Sequence, residues 1–129
     1  LLEPGGRFYI RDVHPFLFIF EEVDGKIQPH FPYWYTPESP LSWDEDQTYS
    51  DNPEGTAIVH TRSHEWNHSL PEIVNALVGA GMRIDQLDEH RMLPWQYSPS
   101  CVKEADGWYL PEPLRSQVPS AFSLHATKL

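Results

Sequence analysis

Residues 69–87 constrain the fold more than any other part of the sequence, because their pattern is that of a helix followed directly by a strand. Ser69 and Glu72 have the spacing of a capping box, in which the hydroxyl accepts an early helix amide and the carboxylate accepts the N–H of the cap. The apolar residues that follow recur at helical spacing and are Ile73, Val74, Leu77 and Val78. Glycines at 79 and 81 end the helix, and residues 82–87 then alternate apolar and polar. We predict a helix-turn-strand unit of the α/β kind.

Two further segments have the composition of strands. Residues 7–13 are rich in aromatic and β-branched residues, which favours a strand buried on both faces of a parallel sheet. Residues 120–128 alternate and are predicted to form the closing strand. Between these strands, segments 28–56 and 92–119 are rich in proline and aromatic residues. We expect two long loops there, and we expect the first, 28–56, to cover a pocket as a lid-like insertion.

The size and charge of the chain limit what it can do. Its 129 residues suit one domain, 1–129. Lys and Arg number 9 against 19 Asp and Glu, a formal net charge of -10, which repels the phosphates of nucleic acids and of anionic membranes. No apolar run approaches the roughly 18 residues of a membrane span. Because Cys101 is the single cysteine, an internal disulfide is excluded, and we expect a cytoplasmic protein.

Four parts of the sequence, taken in order, have the pattern of one known family. They are Leu1-Leu2-Glu3-Pro4-Gly5-Gly6-Arg7-Phe8-Tyr9-Ile10; Phe31-Pro32-Tyr33-Trp34-Tyr35 with Glu54-Gly55-Thr56; Glu65-Trp66-Asn67-His68-Ser69 with Glu72-Ile73-Val74-Asn75-Ala76-Leu77 and Ala80-Gly81-Met82-Arg83-Ile84; and Phe122-Ser123-Leu124-His125-Ala126-Thr127-Lys128. Together they resemble the class I S-adenosylmethionine-dependent methyltransferases, in a bacterial subgroup that acts on small molecules.

The resemblance implies that the chain is the C-terminal half of such an enzyme. The expected fold class is α/β: a partial Rossmann-like sheet with the family's last three strands in the order 5-7-6, the last strand antiparallel, one main helix and the two long aromatic loops. The family's glycine-rich loop and ribose-binding acidic residue are missing from this sequence. S-adenosylmethionine is therefore expected as a cofactor of the parent enzyme and not of this chain, which alone should be inactive. The start at Leu1 rather than Met also indicates a piece of a longer protein.

The end of the first predicted strand holds the candidate catalytic residues. Ligands of open α/β sheets bind beyond the carboxyl ends of parallel strands, and His14 follows the strand at that end. We expect His14 to contact the substrate or to act as a general base, with Asp12 as its orienting partner. The alternative is a histidine whose ring bonds a loop carbonyl before the turn at Pro15.

Aromatic residues supply the candidate substrate-binding positions. These are Tyr33, Trp34, Tyr35, Trp66 and His68. They could form the wall of a pocket, exclude water and hold a sulfonium or an amine by cation–π contact. The alternative is that they pack over the sheet and at the entry to the helix.

A zinc-hydrolase motif overlaps two of these positions, Trp66 and His68. His64-Glu65-Trp66-Asn67-His68 has the H-E-x-x-H spacing of zinc hydrolases, whose chemistry needs both histidines on one face of a helix. Because Ser69 caps a helix that begins only after the motif, the motif is expected on extended chain or in a turn. Adventitious binding by His60, His64 and His68 or plain hydrogen bonding then becomes the better interpretation, and we predict no metal site.

An interaction module is the other class of function left open. If the strand that precedes 7–13 in the family is absent, residues 7–13 form a sheet edge with unpaired backbone groups. Such an edge can pair with a second copy, so the chain by itself could be a catalytically silent module that forms a homodimer.

Overall fold

The structure is a computed structural model that describes residues 2–44 and 60–129. Its strands are β1 (Arg7–Val13), β2 (Phe20–Val23), β3 (Lys26–Pro29), β4 (Leu41–Asp44), β5 (Arg62–Glu65), β6 (Met82–His90), β7 (Met92–Leu93), β8 (Val102–Glu104), β9 (Gly107–Tyr109) and β10 (Ala121–Lys128). Its α-helices are α1 (Leu70–Gly79) and α2 (Leu114–Gln117), and Leu17–Ile19 forms a 3-10 turn. The chain divides into a main unit, Leu1–Trp34 with His68–Leu129, and a second unit, Tyr35–Asn67.

The main sheet has the order β1-β10-β6, and β10 is antiparallel to both neighbours. β1 and β6 consequently run in the same direction, so the carboxyl ends of both strands lie at the same end of the sheet. The last residues of β1 and β6 are therefore both opposite the start of β10: Val13 and His90 each pair with Ala121. This arrangement positions the candidate site.

The prediction of an α/β fold with a Rossmann-like, partly parallel sheet is wrong. In the described residues the strands form several small sheets, and every pairing between named strands is antiparallel. The aromatic and β-branched content of β1 suggested burial on both faces, but its side chains alternate: Phe8 and Ile10 pack against apolar neighbours, whereas Tyr9 is 56% exposed. Strand composition alone does not distinguish a strand buried on both faces from one buried on a single face.

Helix α1 covers one face of the main sheet, and its predicted capping box is confirmed. The Ser69 hydroxyl accepts the N–H of Glu72 at 3.4 Å, and the Glu72 carboxylate accepts the N–H of Ser69 at 2.7 Å. The helix packs on a cluster whose buried members are Met82, Phe122, Leu124 and Ala126. Neither helix in the described residues is long and apolar enough to cross a membrane.

Segment 92–119 is not the long loop that we predicted. It contains β7, β8, β9 and the four-residue helix α2, and it packs with residues 13–20 in a second buried cluster. The Tyr97 hydroxyl joins these two parts of the main unit, lying 3.0 Å from the carbonyl of Leu17 and 2.9 Å from that of Phe20. The three strands have only two or three residues each, which is too short to show any periodicity, and prolines at 94 and 99 separate the first of them from the second.

The predicted lid, 28–56, is only partly described. β4 pairs with β5 in the second unit, and the Trp66 indole N–H donates to the carbonyl of Thr36 at 3.1 Å. Residues 45–56 of the predicted lid, including the Glu54-Gly55-Thr56 segment, lie outside the described residues.

Candidate functional site

Backbone hydrogen bonds join the ends of the three strands at one end of the main sheet. The N–H of His14, just after β1, donates to the carbonyl of Ser120 at 3.0 Å. The N–H of Ser120, just before β10, donates to the carbonyl of His90 at 2.9 Å. The backbone is therefore fixed at this end of the sheet, where side chains at the ends of β1 and β6 come together.

His14 and Glu89 form a pair at this end of the sheet. The side chain of His14 is 9% exposed, and its Nε2 lies 3.0 Å from Oε1 of Glu89. The N–H of Phe16 donates to Nδ1 at 3.1 Å, so Nδ1 is an acceptor and the ring proton is on Nε2, from which it is donated to Glu89. Burial lowers the pKa of His14, and the hydrogen bond and the charge of Glu89 oppose that shift. The ring is thus held neutral, in one tautomer, against a carboxylate.

The structure does not bring Asp12 to His14. A carboxylate oxygen of Asp12 accepts the N–H of Val13 at 2.7 Å, which fixes the local backbone. Glu89, and not Asp12, is the carboxylate that bonds the His14 ring. Sequence reasoning missed Glu89 because it is a charged residue near the end of an alternating strand, a position that usually faces water. Only its position near the end of that strand could have indicated that Glu89 lies close to His14.

An aromatic row leads away from His14. The ring of Phe16 lies 5.6 Å from that of Phe20 and 6.4 Å from that of Tyr33, and the Tyr33 and Trp34 rings are 5.1 Å apart. Trp34 is 82% exposed. The structure therefore connects His14 with two of the predicted substrate-binding residues, Tyr33 and Trp34, through Phe16, which was not predicted.

The other predicted substrate-binding residues lie elsewhere. Tyr35 and Trp66 belong to the second unit, where burial, together with the charge of Glu65, raises the pKa of Tyr35. His68 belongs to the main unit and is an exposed residue just before the cap of α1.

The H-E-x-x-H motif does not lie on a helix. His64 and Glu65 are the last two residues of β5, and their side chains bond different residues of β4. Nδ1 of His64 lies 2.8 Å from the Ser42 hydroxyl, and the Trp43 indole N–H donates to Glu65 at 3.1 Å. Across residues 2–44 and 60–129, no three His, Cys, Asp or Glu side chains are grouped as metal ligands.

A cleft adjoins the His14–Glu89 pair, and we call it the Arg91 cleft. Its volume is about 300 Å³, and it is lined by Glu89, His90 and Arg91 on one side and by residues 115–119 on the other. The guanidinium of Arg115 is ion-paired with Glu104 and lies 3.7 Å above the Tyr109 ring. Nε2 of His90 is 2.7 Å from the Ser123 hydroxyl. Arg91 is exposed and has no hydrogen bond or ion pair in the part of the chain that the structure describes.

Comparisons with protein-family models, with curated proteins and with solved structures find no match to this chain. The Arg91 cleft can bind a small molecule against the carboxylate of Glu89, which a buried imidazole holds in place. That carboxylate can accept a hydrogen bond from the molecule.

Proposed function

We propose that this chain is the acceptor-binding half of an S-adenosylmethionine-dependent methyltransferase that acts on a small molecule. The order of the four sequence segments supports the family. The observation that carries the proposal is the His14–Glu89 pair at the carboxyl ends of β1 and β6, 3.0 Å apart and next to the Arg91 cleft. Perturbed titratable groups beside a cleft are typical of functional sites.

The residues of this chain do not fit the methyl donor. The G-x-G sequence of this chain, Gly79-Ala80-Gly81, ends α1 and leads into β6, so it is not the glycine-rich loop after a strand that allows backbone to approach the methionine moiety. The donor, when bound by the remaining part of the enzyme, supplies the methyl group. The chain by itself is therefore expected to bind no cofactor and to be inactive.

Glu89 is the group that would receive a proton from the acceptor. Both nitrogens of His14 are engaged, so the neutral ring has no free lone pair with which to act as a base. The Glu89 side chain is 59% exposed, and only its Oε1 is bonded within the described residues. An acceptor hydroxyl or amine in the cleft can donate to Oε2 while His14 holds Oε1 in place. His14 is thus a positioning residue.

The aromatic row is an apolar surface separate from the lining of the Arg91 cleft. It begins at Phe16, whose N–H bonds the His14 ring, and continues through Tyr33 to the exposed Trp34, from which an apolar ligand would displace water. A net charge of -10 supports a small molecule and not a nucleic acid as the acceptor. Cys101 is buried and unpaired, which supports a cytoplasmic location.

The test is methyl transfer by the product of the full coding sequence that contains this chain. We expect calorimetry to detect S-adenosylmethionine binding, and we expect transfer of labelled methyl to small molecules from a cell extract. Glu89→Gln should reduce transfer by 10²-fold or more, on the order of a general base. Asp88→Asn, a neighbouring change on the opposite face of β6, is the matched control and should retain activity. A full-length product that binds no S-adenosylmethionine would refute the proposal.

A second candidate function is self-association through β1, and one observation favours it. β1 has β10 as a neighbour on one side, and no named strand of the described residues pairs with its other edge. If two copies pair antiparallel about Ile10, Arg11 lies opposite Tyr9 and Arg7 opposite Val13, so like charges do not face each other directly.

Light scattering of the chain tests this candidate. Tyr9→Lys would place a second cation opposite Arg11 and should dissociate the dimer, because like charges directly opposite destabilise a strand pair. Gln86→Lys, on the other edge strand, is the control and should leave the dimer intact. A monomer at high concentration would exclude self-association.

A further inference from the structure

Arg91 is the cation of the Arg91 cleft that has no partner within residues 2–44 and 60–129. The other arginine of the cleft, Arg115, is ion-paired with Glu104 and stacked on Tyr109, so its charge is already compensated. Arg91 directly follows β6, two positions from Glu89, and both residues line the same cleft. The guanidinium is therefore available for an anion close to the carboxylate of the proposed site.

The charge around Arg91 favours a carboxylate over a phosphate. One free guanidinium neutralises one negative charge, and it matches the two oxygens of a carboxylate in a bidentate arrangement. Glu89 already places a negative charge in the cleft, on a chain with a net charge of -10. A dianionic phosphate would be repelled by that charge more strongly than a monoanionic carboxylate.

The size of the cleft limits the ligand. A volume of about 300 Å³ is at the lower end for small-molecule sites, so it suits a molecule of about the size of a substituted aromatic acid. Val118 and Pro119 contribute an apolar side to the same cleft.

We propose that the Arg91 cleft binds the carboxylate of a small organic acid, with the guanidinium of Arg91 as its main anchor. This deepens the proposed function, on which it rests in one respect: the acid would be the methyl acceptor, with its proton-donating group directed at Glu89. Binding of the carboxylate needs no methyl donor, so it can be measured on this chain alone.

The experiment is a titration of the isotope-labelled chain with benzoate, followed by the backbone amide resonances. We expect saturable shifts at residues 89–91 and 116–118, and weaker or absent shifts with benzamide, which has the same shape without the charge. Arg91→Gln should weaken benzoate binding by about tenfold or more, as expected for a lost hydrogen bond between charged groups. Arg91→Lys should give an intermediate affinity, because it keeps the charge and loses the bidentate geometry. Lys26→Gln, an exposed cation on β3, is the matched control and should not change the affinity.

Three outcomes would overturn the inference: equal binding of benzamide and benzoate, shifts that map away from the cleft, or unchanged affinity in Arg91→Gln. Tighter binding of phenyl phosphate than of benzoate would also overturn it, in favour of a phosphate site. Failure of the proposed function is a separate result. A full-length product that transfers no methyl group while benzoate still binds through Arg91 refutes the methyltransferase and leaves the carboxylate site standing.

Discussion

His14 donates a hydrogen bond from Nε2 to Oε1 of Glu89 over 3.0 Å, and the two residues are 75 positions apart in the chain. Because Phe16 occupies the other ring nitrogen, the buried imidazole is fully engaged and the exposed carboxylate is the group that meets solvent. The two members of the pair are therefore placed differently: the Glu89 carboxylate is open to a ligand, and His14 fixes the position of that carboxylate. Its energetics can be tested without knowledge of the substrate.

The His14 pair makes folding stability depend on pH just below neutrality. Burial lowers the pKa of His14 from its ordinary value of 6.5. The unfolded chain then takes up this proton at a higher pH than the folded chain, so the free energy of unfolding falls as pH drops from 6.5 to the pKa of the folded state. Urea unfolding at closely spaced pH values should show this slope, and His14→Asn should remove its contribution. Glu22 and Glu72 contribute in a different window, since their pKa values lie below an ordinary value of 4.5.

Loss of the Glu89 charge should lower the pKa of His14 further. The hydrogen bond and the charge of Glu89 are the two influences that raise this pKa against burial. Glu89→Gln keeps an acceptor oxygen but removes the charge, so the pKa of His14 should fall below that of the unmodified chain. The ring-proton resonances of His14 across a pH titration measure it. An unchanged value would show that the pair does not form in solution, and Asp88→Asn is the control.

The capping box should contribute measurably to the stability of the main unit. Ser69→Ala removes the hydroxyl that accepts the Glu72 N–H, and the free energy of unfolding should fall by about 1 kcal/mol. Ser69→Gly should lower the free energy of unfolding by only about a few tenths of a kcal/mol, because glycine is itself tolerated at a helix cap. Ser63→Ala, at an exposed strand position, is the control. Equal effects of the three changes would contradict a capping role.

Tyr97 should make the main unit sensitive to alkali. Burial, with smaller effects of Cys101 and Glu21, raises the pKa of its phenol to about 12 from an ordinary value of 10.0. The unfolded chain loses this proton first, so stability is complete below pH 10 and decreases as the pH rises towards 12. Tyr97→Phe removes this dependence.

The same substitution should also destabilise the chain at neutral pH. Tyr97→Phe deprives the carbonyls of Leu17 and Phe20 of their shared donor, at a cost of about 1 to 3 kcal/mol. Denaturant unfolding measures both effects. Tyr9→Phe, at a 56% exposed position, serves as the control and should change neither.

Local structure was predictable where neighbouring residues decide it. The capping box and the helical repeat placed α1, and alternation placed β6 and β10, because each pattern involves residues only a few positions apart. The fold class was wrong because strand composition does not say which edges pair. The strands within 92–119 were missed since they are too short to carry a pattern.

Only part of the candidate site could be predicted from the sequence, because local patterns locate single residues and not their distant partners. His14 could be located from its place directly after a strand, and Tyr33 and Trp34 from their aromatic segment. Glu89 could not, because only the register of β10 against both β1 and β6 brings the end of β6 to His14.

The sequence by itself determined where the main helix and the long strands lie, and it singled out His14. Tertiary structure alone decided the register of β10 against β1 and β6, the antiparallel pairing of the other strands in small separate sheets, and that His14 meets Glu89 and not Asp12. The physical reason is that capping and periodicity are local, whereas every strand edge offers the same backbone N–H and C=O groups. The choice among such edges depends on side-chain packing between distant parts of the chain, and the partner of His14 depends on that choice.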